Sequence, residues 1–366
     1  MGITRRDFLK YCGVSAAALG LTRLDLLRLE EALAASGAPT VLWLQGAACT
    51  GCSVSFLNYI DNSTNPPTTA KDLLINSVNL AYHPNLMALA GQDAAQQAEA
   101  AYNAGGYILA VEGGVPTAFN GAACWAWTYN GMDVTFQQAV HDLASKAACI
   151  LAVGTCASFG GIPAAGANPA GVKSVTSALN GQATVNISGC PAHPDWVVWV
   201  VAQLLLGRQP GSAAFPLDGS RRPTQFFSQT VHSQCPRRSS DQAITFGVDN
   251  ACLIYMGCQG PLTHANCPAQ LWNNKKNWCI DANSRCLGCT EPGFPGSQLF
   301  SYVGGGNDEH SAAFIKDNQY KCGNCHSGTT VGGGGGGGGG GTAPPNPHGY
   351  TVNNCVSCHG YVPPYP

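Results

Sequence analysis

The chain has 366 residues, room for two or three domains, and only 10% of them are charged, with a formal net charge of −2. That balance excludes an electrostatic nucleic-acid partner and an electrostatic membrane anchor. Eighteen cysteines in a chain of this size require disulfides, zinc or redox cofactors.

In chain order, the first feature sets the compartment. Thr4-Arg5-Arg6-Asp7-Phe8-Leu9-Lys10, a modest apolar run from Tyr11 to Leu21 and then Ala32-Leu33-Ala34-Ala35 read as a twin-arginine export signal over 1–35; an ordinary amphipathic helix is the alternative. Twin-arginine export moves folded proteins, and a cofactor inserted beforehand is the usual reason to need it, so a periplasmic location is expected. The longest apolar run elsewhere, Trp196 to Leu206, is too short to span a bilayer and predicts a core helix.

Residues 40–44 predict a buried strand that runs into Gly46-Ala-Ala-Cys49-Thr-Gly-Cys52. A helix is expected over 88–104, a strand over 107–111 ending at Glu112, and a helix over 136–147. Strands over 149–153 and 184–187 end at Gly154-Thr155-Cys156 and Gly189-Cys190-Pro191, and a helix closes the series at 194–206. This alternation predicts an α/β fold with a mainly parallel sheet covered on both faces. Cys49, Cys52, Cys156 and Cys190 follow the carboxyl ends of three strands and Glu112 ends a fourth. Such ends share one edge of an open sheet, so the four thiols should converge, as a 4Fe-4S cluster requires. Zinc and a pair of disulfides are the alternatives.

From about residue 215 the periodicity fades and a ladder begins: His232, Cys235, Cys252, Cys258, Cys267, Cys279, Cys286 and Cys289. Seven cysteines and one histidine make two sets of four ligands, enough for two metal centres. The segment is too weakly patterned to build its own core, so bound clusters would supply the order. Zinc explains the ladder less well, because of the isolated Cys252-x5-Cys258 spacing and the histidine.

As an ordered set, Cys49-Thr-Gly-Cys52, Gly154-Thr-Cys156, Gly189-Cys190-Pro191, His232-x-x-Cys235, Cys252-x5-Cys258, Asn266-Cys267-Pro268 and Cys286-Leu-Gly-Cys289-Thr-Glu-Pro resemble the small subunit of periplasmic nickel-iron hydrogenases, over roughly residues 1–300. The resemblance implies a flavodoxin-like domain (36–215), in which Cys49, Cys52, Cys156 and Cys190 hold a proximal 4Fe-4S cluster facing the nickel-iron centre of a large subunit. It implies next a loop-rich iron-sulfur domain (216–305), with His232, Cys235, Cys252 and Cys258 on a distal 4Fe-4S cluster. The family's usual medial cluster has three cysteines and a proline, giving a 3Fe-4S centre. Here Cys279 stands where that proline commonly does, so with Cys267, Cys286 and Cys289 a 4Fe-4S medial cluster is expected; 3Fe-4S with a spare thiol is the alternative. Family members with an oxygen-tolerant six-cysteine proximal cluster carry two further cysteines at positions matched here by Gly51 and Gly161, so an ordinary proximal cluster is expected. The large subunit's paired Cys-x-x-Cys motifs are not recognisable, so this chain by itself should not split hydrogen. Tyr82, His83 and Glu112 match family positions near the proximal region.

Beyond residue 305 the resemblance stops. Cys322-Gly-Asn-Cys325-His326 and Cys355-Val-Ser-Cys358-His359 are two Cys-x-x-Cys-His signatures of c-type haem attachment, and 306–366 reads as a small haem-binding tail with a glycine run from Gly332 to Gly341. The four methionines are Met1, Met87, Met132 and Met256, none of them in this tail. His310 and His348 are therefore the candidate sixth haem ligands, or else solvated loop residues. Cys12, Cys124 and Cys149 need no role.

The sequence thus implies an electron-transfer subunit relaying electrons from hydrogen oxidation at a large subunit, through three iron-sulfur clusters and two c-type haems, to a periplasmic or membrane cytochrome. The competing readings are a complex I-like relative without hydrogen chemistry, a free cluster-bearing carrier and a disulfide-stapled binding protein.

Overall fold

The computed structural model describes residues 38–62, 66–76, 78–243 and 250–296. The export-signal and haem-tail motifs, with His310 and His348, lie outside them. The described residues up to Phe294 gather into one compact unit.

Five parallel strands form the central sheet: β1 (Thr40–Gln45), β2 (Asn79–Tyr82), β3 (Ile108–Glu112), β4 (Cys149–Val153) and β5 (Val185–Ile187). Their spatial order is β5-β4-β3-β1-β2, that is 2-1-3-4-5 read from the other edge, the order of flavodoxin-type doubly wound sheets. The strands are apolar because both faces are covered, and successive residues serve opposite faces. Val41, Trp43, Ile108, Ala110, Leu151 and Val153 join one apolar cluster; Leu42, Leu44, Leu109, Val111, Ile150 and Ala152 join the other.

The connecting helices are α1 (Gly51–Leu57), α2 (Gly91–Ala104), α3 (Phe136–Ala144), α4 (Thr155–Phe159) and α5 (Pro194–Leu205). Helix α2 places Ala94, Ala98 and Ala101 against the second face, and α3 adds Phe136, Val140 and Leu143. The α3 start is fixed by Thr135, whose hydroxyl accepts from the Gln138 N–H at 3.1 Å, a standard N-cap. Helix α5 starts with Pro194, where its missing N–H costs nothing, and buries Trp196, Trp199 and Val200 under the first face.

That same first-face cluster holds Phe226, Phe227, Leu253, Ala265, Trp278 and Ile280. The loop-rich segment after residue 215 therefore packs directly on the sheet and on α5. Its regular pieces are short, and two of them, α6 (Val231–Gln234) and α7 (Cys267–Gln270), carry ladder residues. No helix among the described residues is long and apolar enough to cross a membrane.

Two elements depart from the expectations. Strand β2 has no counterpart among the expected strands: it is four residues at a sheet edge, with only Tyr82 buried, so no apolar run marks it. A hairpin, Trp125–Tyr129 paired antiparallel with Met132–Thr135, turns through Asn130 and Gly131, both at positive φ. The Asn-Gly pair, a strong hairpin signal, is what marks it in the sequence.

Candidate metal centres

The first site is laid out by strand register. Gln45 pairs with Glu112, Glu112 with Val153 and Val153 with Ile187, so these carboxyl ends form one row across the sheet. Cys49 and Cys52 follow β1, Cys156 follows β4 and Cys190 follows β5, all just beyond that row. The four thiols come together: Cys156 and Cys190 add to the burial that raises the Cys52 thiol, Cys190 and Cys49 do the same at Cys156, and Cys49 at Cys190. The Cys156 thiol is pushed up to about 12.

Glycine makes this packing possible. Gly154 has φ +86°, and a Cβ there would lie 2.4 Å from the Cys52 sulfur. Gly51 and Gly161 stand against the other thiols: added Cβ atoms would lie 3.0 Å from Cys49 Sγ and 3.1 Å from Cys156 Sγ. Cys49 is exposed, whereas Cys52, Cys156 and Cys190 are half-buried.

Behind Cys52 lies a buried polar chain. Glu112 Oε1 accepts from the backbone N–H groups of Cys52 (3.0 Å) and Ser53 (3.2 Å), and Oε2 accepts from Trp43 Nε1–H (3.0 Å) and the Ser53 hydroxyl. His83 Nε2 lies 3.2 Å from Ser53 Oγ, and its ring is held down to about 4 by burial.

The second site combines Cys267, Cys279, Cys286 and Cys289. Cys289 is raised well above its ordinary value by burial and then by Cys267, Cys286 and Cys279, and Cys279 also raises Cys267. Burial is the largest cause at Cys267 and Cys286, each pushed up to about 12. Cys279 is the exposed member. The segment after Cys289 is clamped by Arg222, which donates to Asp218 Oδ2 (2.8 Å), the Thr290 carbonyl (2.9 Å) and Glu291 Oε1 (3.1 Å).

The third site joins Cys235, Cys252 and Cys258, whose neighbours Cys252 and Cys258 add to the burial raising Cys235. His232 belongs beside them: a Cβ on Gly260 would lie 3.4 Å from Cys258 Sγ and 3.6 Å from His232 Cβ. Thr230 caps α6 through the Ser233 N–H at 3.1 Å, which places His232 and Cys235 at the two ends of one short turn. His264, in contrast, lies beside Glu291, at 3.4 Å.

The three sites stand in a row. The first and second are stitched by the Thr155 hydroxyl, which donates to the Cys289 carbonyl, and by the Ser188 hydroxyl on the Thr290 carbonyl at 2.8 Å. The Cys190 backbone N–H also bonds to the Cys289 thiol. The second and third are joined by the Gln259 N–H on the Cys286 carbonyl at 2.8 Å and by the Cys286 backbone N–H on the Cys258 thiol. Sequence reasoning missed Thr155, Ser188 and Arg222, since their partners lie 68–134 residues away.

The described cysteines, every candidate ligand cysteine of the three sites among them, are all unpaired, which speaks against the disulfide alternative for these positions. Among the described residues no three His, Cys, Asp or Glu side chains close on a point as one bare ion requires. Sets of four thiols, or of three thiols and an imidazole, are donor sets that fit an iron-sulfur cluster. The raised thiols fit too, because a bound cation supplies the charge that lets them ionise.

Two family models and a set of known proteins match this chain. Residues 49–204 match the family described as NADH ubiquinone oxidoreductase, 20 Kd subunit, and residues 227–301 match the family of the C-terminal part of the NiFe/NiFeSe hydrogenase small subunit. The chain is 38% identical over 323 residues to the periplasmic NiFeSe hydrogenase small subunit of Desulfomicrobium baculatum, covering 83% of this chain and 99% of that one. It is 37% identical over 309 residues to the periplasmic NiFe hydrogenase small subunit 1 of Nitratidesulfovibrio vulgaris, covering 80% and 91%. The solved NiFeSe hydrogenase of Desulfovibrio vulgaris Hildenborough superposes with a TM-score of 0.65 at 37% identity, over 71% of this chain and 96% of that one.

Proposed function

Because the chain belongs to the small-subunit family of nickel-iron and nickel-iron-selenium hydrogenases, we propose that it is the electron-transfer subunit of a periplasmic hydrogenase, paired with a large subunit that holds the nickel-iron centre. Cys49, Cys52, Cys156 and Cys190 hold a proximal 4Fe-4S cluster, Cys267, Cys279, Cys286 and Cys289 a medial one, and His232, Cys235, Cys252 and Cys258 a distal one. Bound there, iron-sulfur clusters supply one-electron stations between a hydrogen-splitting partner and an outside acceptor. The observation that carries this reading is the row itself: three sets of thiols in sequence, joined by Thr155, Ser188 and Cys190 at one junction and by Gln259 and Cys286 at the other.

The chain's own residues give that row its properties. Cys49 is the exposed thiol of the proximal set and marks the side on which the large subunit docks. Burial of Cys267 and Cys286 shields one side of the medial set, whose exposed member is Cys279. Gly51 and Gly161, next to Cys49 and Cys156, bring no thiol to the site, which makes the proximal cluster the ordinary four-thiolate kind. Cys322, Cys325 and His326, with Cys355, Cys358 and His359, attach two c-type haems that pass electrons to a periplasmic or membrane cytochrome; His310 and His348 are their sixth ligands. The twin-arginine signal accounts for export after cofactor insertion.

A complex I-like reading draws on the match over 49–204, but that match stops before the ladder, and the ladder itself matches the hydrogenase small subunit. The test is the visible spectrum of the affinity-purified complex, anaerobic, before and after hydrogen is admitted. Reduced c-type haem bands under hydrogen without added dye are expected. A preparation without a nickel-bearing partner, whose iron-sulfur absorption ignores hydrogen, makes the chain a free carrier instead.

A further inference from the structure

Uncompensated charges of opposite sign lie at the two ends of the row. At the proximal end Glu112 is 1% exposed and receives four donors: the Cys52 and Ser53 amides, Trp43 Nε1–H and the Ser53 hydroxyl. His83 Nδ1 accepts from the Asn85 N–H at 3.1 Å, so in the neutral ring Nε2 carries the hydrogen and gives it to Ser53 Oγ. The Ser53 hydrogen is then left for Glu112. All four groups aim their hydrogens at the two carboxyl oxygens, the hydrogen bonding that favours the charged form of an acid. Among the described residues no lysine or arginine pairs with it.

At the distal end stand two guanidinium groups. Arg237 follows Cys235 by two residues, is 8% exposed, and reaches Asn283 Oδ1 at 3.4 Å. Arg285 Nη1 donates to the Met256 carbonyl at 3.0 Å, two residues before Cys258. It crosses Gly257, where a Cβ would lie only 2.6 Å from that nitrogen. Among the described residues neither arginine has a carboxylate within ion-pair distance. Arg285 also directly precedes Cys286 of the medial set, whereas after Cys289 the charges are balanced, since Arg222 is paired with both Asp218 and Glu291.

We propose that these end charges set the direction of the relay: Glu112 lowers the reduction potential of the proximal centre, while Arg237 and Arg285 raise that of the distal centre, so that electrons run downhill from the Cys49 end to the His232 end. The inference rests on the cluster assignment above. Reducing a four-iron centre adds one electron and no proton, so a neighbouring carboxylate opposes the added charge and a guanidinium favours it.

The experiment is a dithionite titration of the intact complex, followed by electron paramagnetic resonance, for the unmodified protein and for Glu112→Gln, Arg285→Met and Arg285→Lys. At fixed ambient potential Glu112→Gln raises the reduced-to-oxidised ratio of the proximal centre about tenfold, or ~59 mV for one electron, and leaves the distal centre in place. Arg285→Met lowers the distal ratio several-fold, and Arg285→Lys, which keeps the charge, stays near the unmodified value. Should Glu112→Gln not assemble, the Arg285 pair and Arg237→Met decide. Full iron content with unmoved potentials overturns the proposal. Absence of iron-sulfur signals from the unmodified complex overturns the cluster assignment instead.

Discussion

The proximal set and the ladder are built by different means. At the sheet edge, register does the positioning: the row Gln45, Glu112, Val153 and Ile187 would bring Cys49, Cys52, Cys156 and Cys190 together whether or not metal is present. The ladder has no such frame. Its ligands sit on turns of four residues or fewer, its backbone passes through positive φ at Asn250, Leu271, Asn273, Asn274, Lys275 and Asn283, and its apolar contacts are borrowed from the sheet face. A preformed site should survive metal loss, and a site made of turns should not.

Ligand loss gives the largest effect. Cys156→Ala should abolish the proximal cluster and lower hydrogen-dependent acceptor reduction by more than the roughly 100-fold that losing a supporting residue of a metal site costs. The chain should still fold, as far-ultraviolet circular dichroism would report. Removing iron sharpens the contrast: a chelator under reducing conditions should open 216–294 to limited proteolysis while the sheet stays protected. Simultaneous loss of both regions would erase the distinction. Within the ladder, Cys279→Ala should cost the medial centre about one iron and give the resonance signal of a three-iron centre, with the complex still assembled.

Smaller effects probe the joints. Thr155→Val deprives the buried Gly189 N–H of its acceptor (2.8 Å) and the Cys289 carbonyl of its donor. It should destabilise the chain by ~1–3 kcal/mol, read as a lower midpoint in urea. The smallest effect is a pH dependence confined to the sheet side. His83 titrates near 4 in the folded chain because burial disfavours its charged form, and near 6.5 when unfolded. Between those values the unfolded state binds more protons, so this contribution is fully present above about 6.5 and is lost as pH falls toward 4. Urea midpoints of the unmodified chain should drop more between pH 7 and 5 than those of His83→Gln.

The same difference decides what the sequence could reveal. Buried parallel strands appear as apolar runs, so 40–44, 107–111, 149–153 and 184–187 lie within a residue of β1, β3, β4 and β5, and the convergence of four cysteines followed from strand ends. β2 stayed hidden because an edge strand with one buried residue leaves no pattern. In the ladder only the spacing of its cysteines was legible, since turns at positive φ follow no apolar period. The joints through Thr155, Ser188 and Arg222 were illegible for another reason: each bonds a carbonyl more than sixty residues away, and a carbonyl carries no residue signature. Glu112 stood out by position, but that no described lysine or arginine pairs with it emerged only from the packed structure.

The central claim, three clusters on a preformed edge and an adjoining ladder, is tested most directly by Mössbauer spectroscopy of the isotopically enriched, anaerobic complex. The expected result is about twelve irons in three four-iron centres per chain, with haem iron resolved separately. A spectrum carrying a single four-iron centre, with zinc or unmetallated thiols in the ladder, would contradict the account.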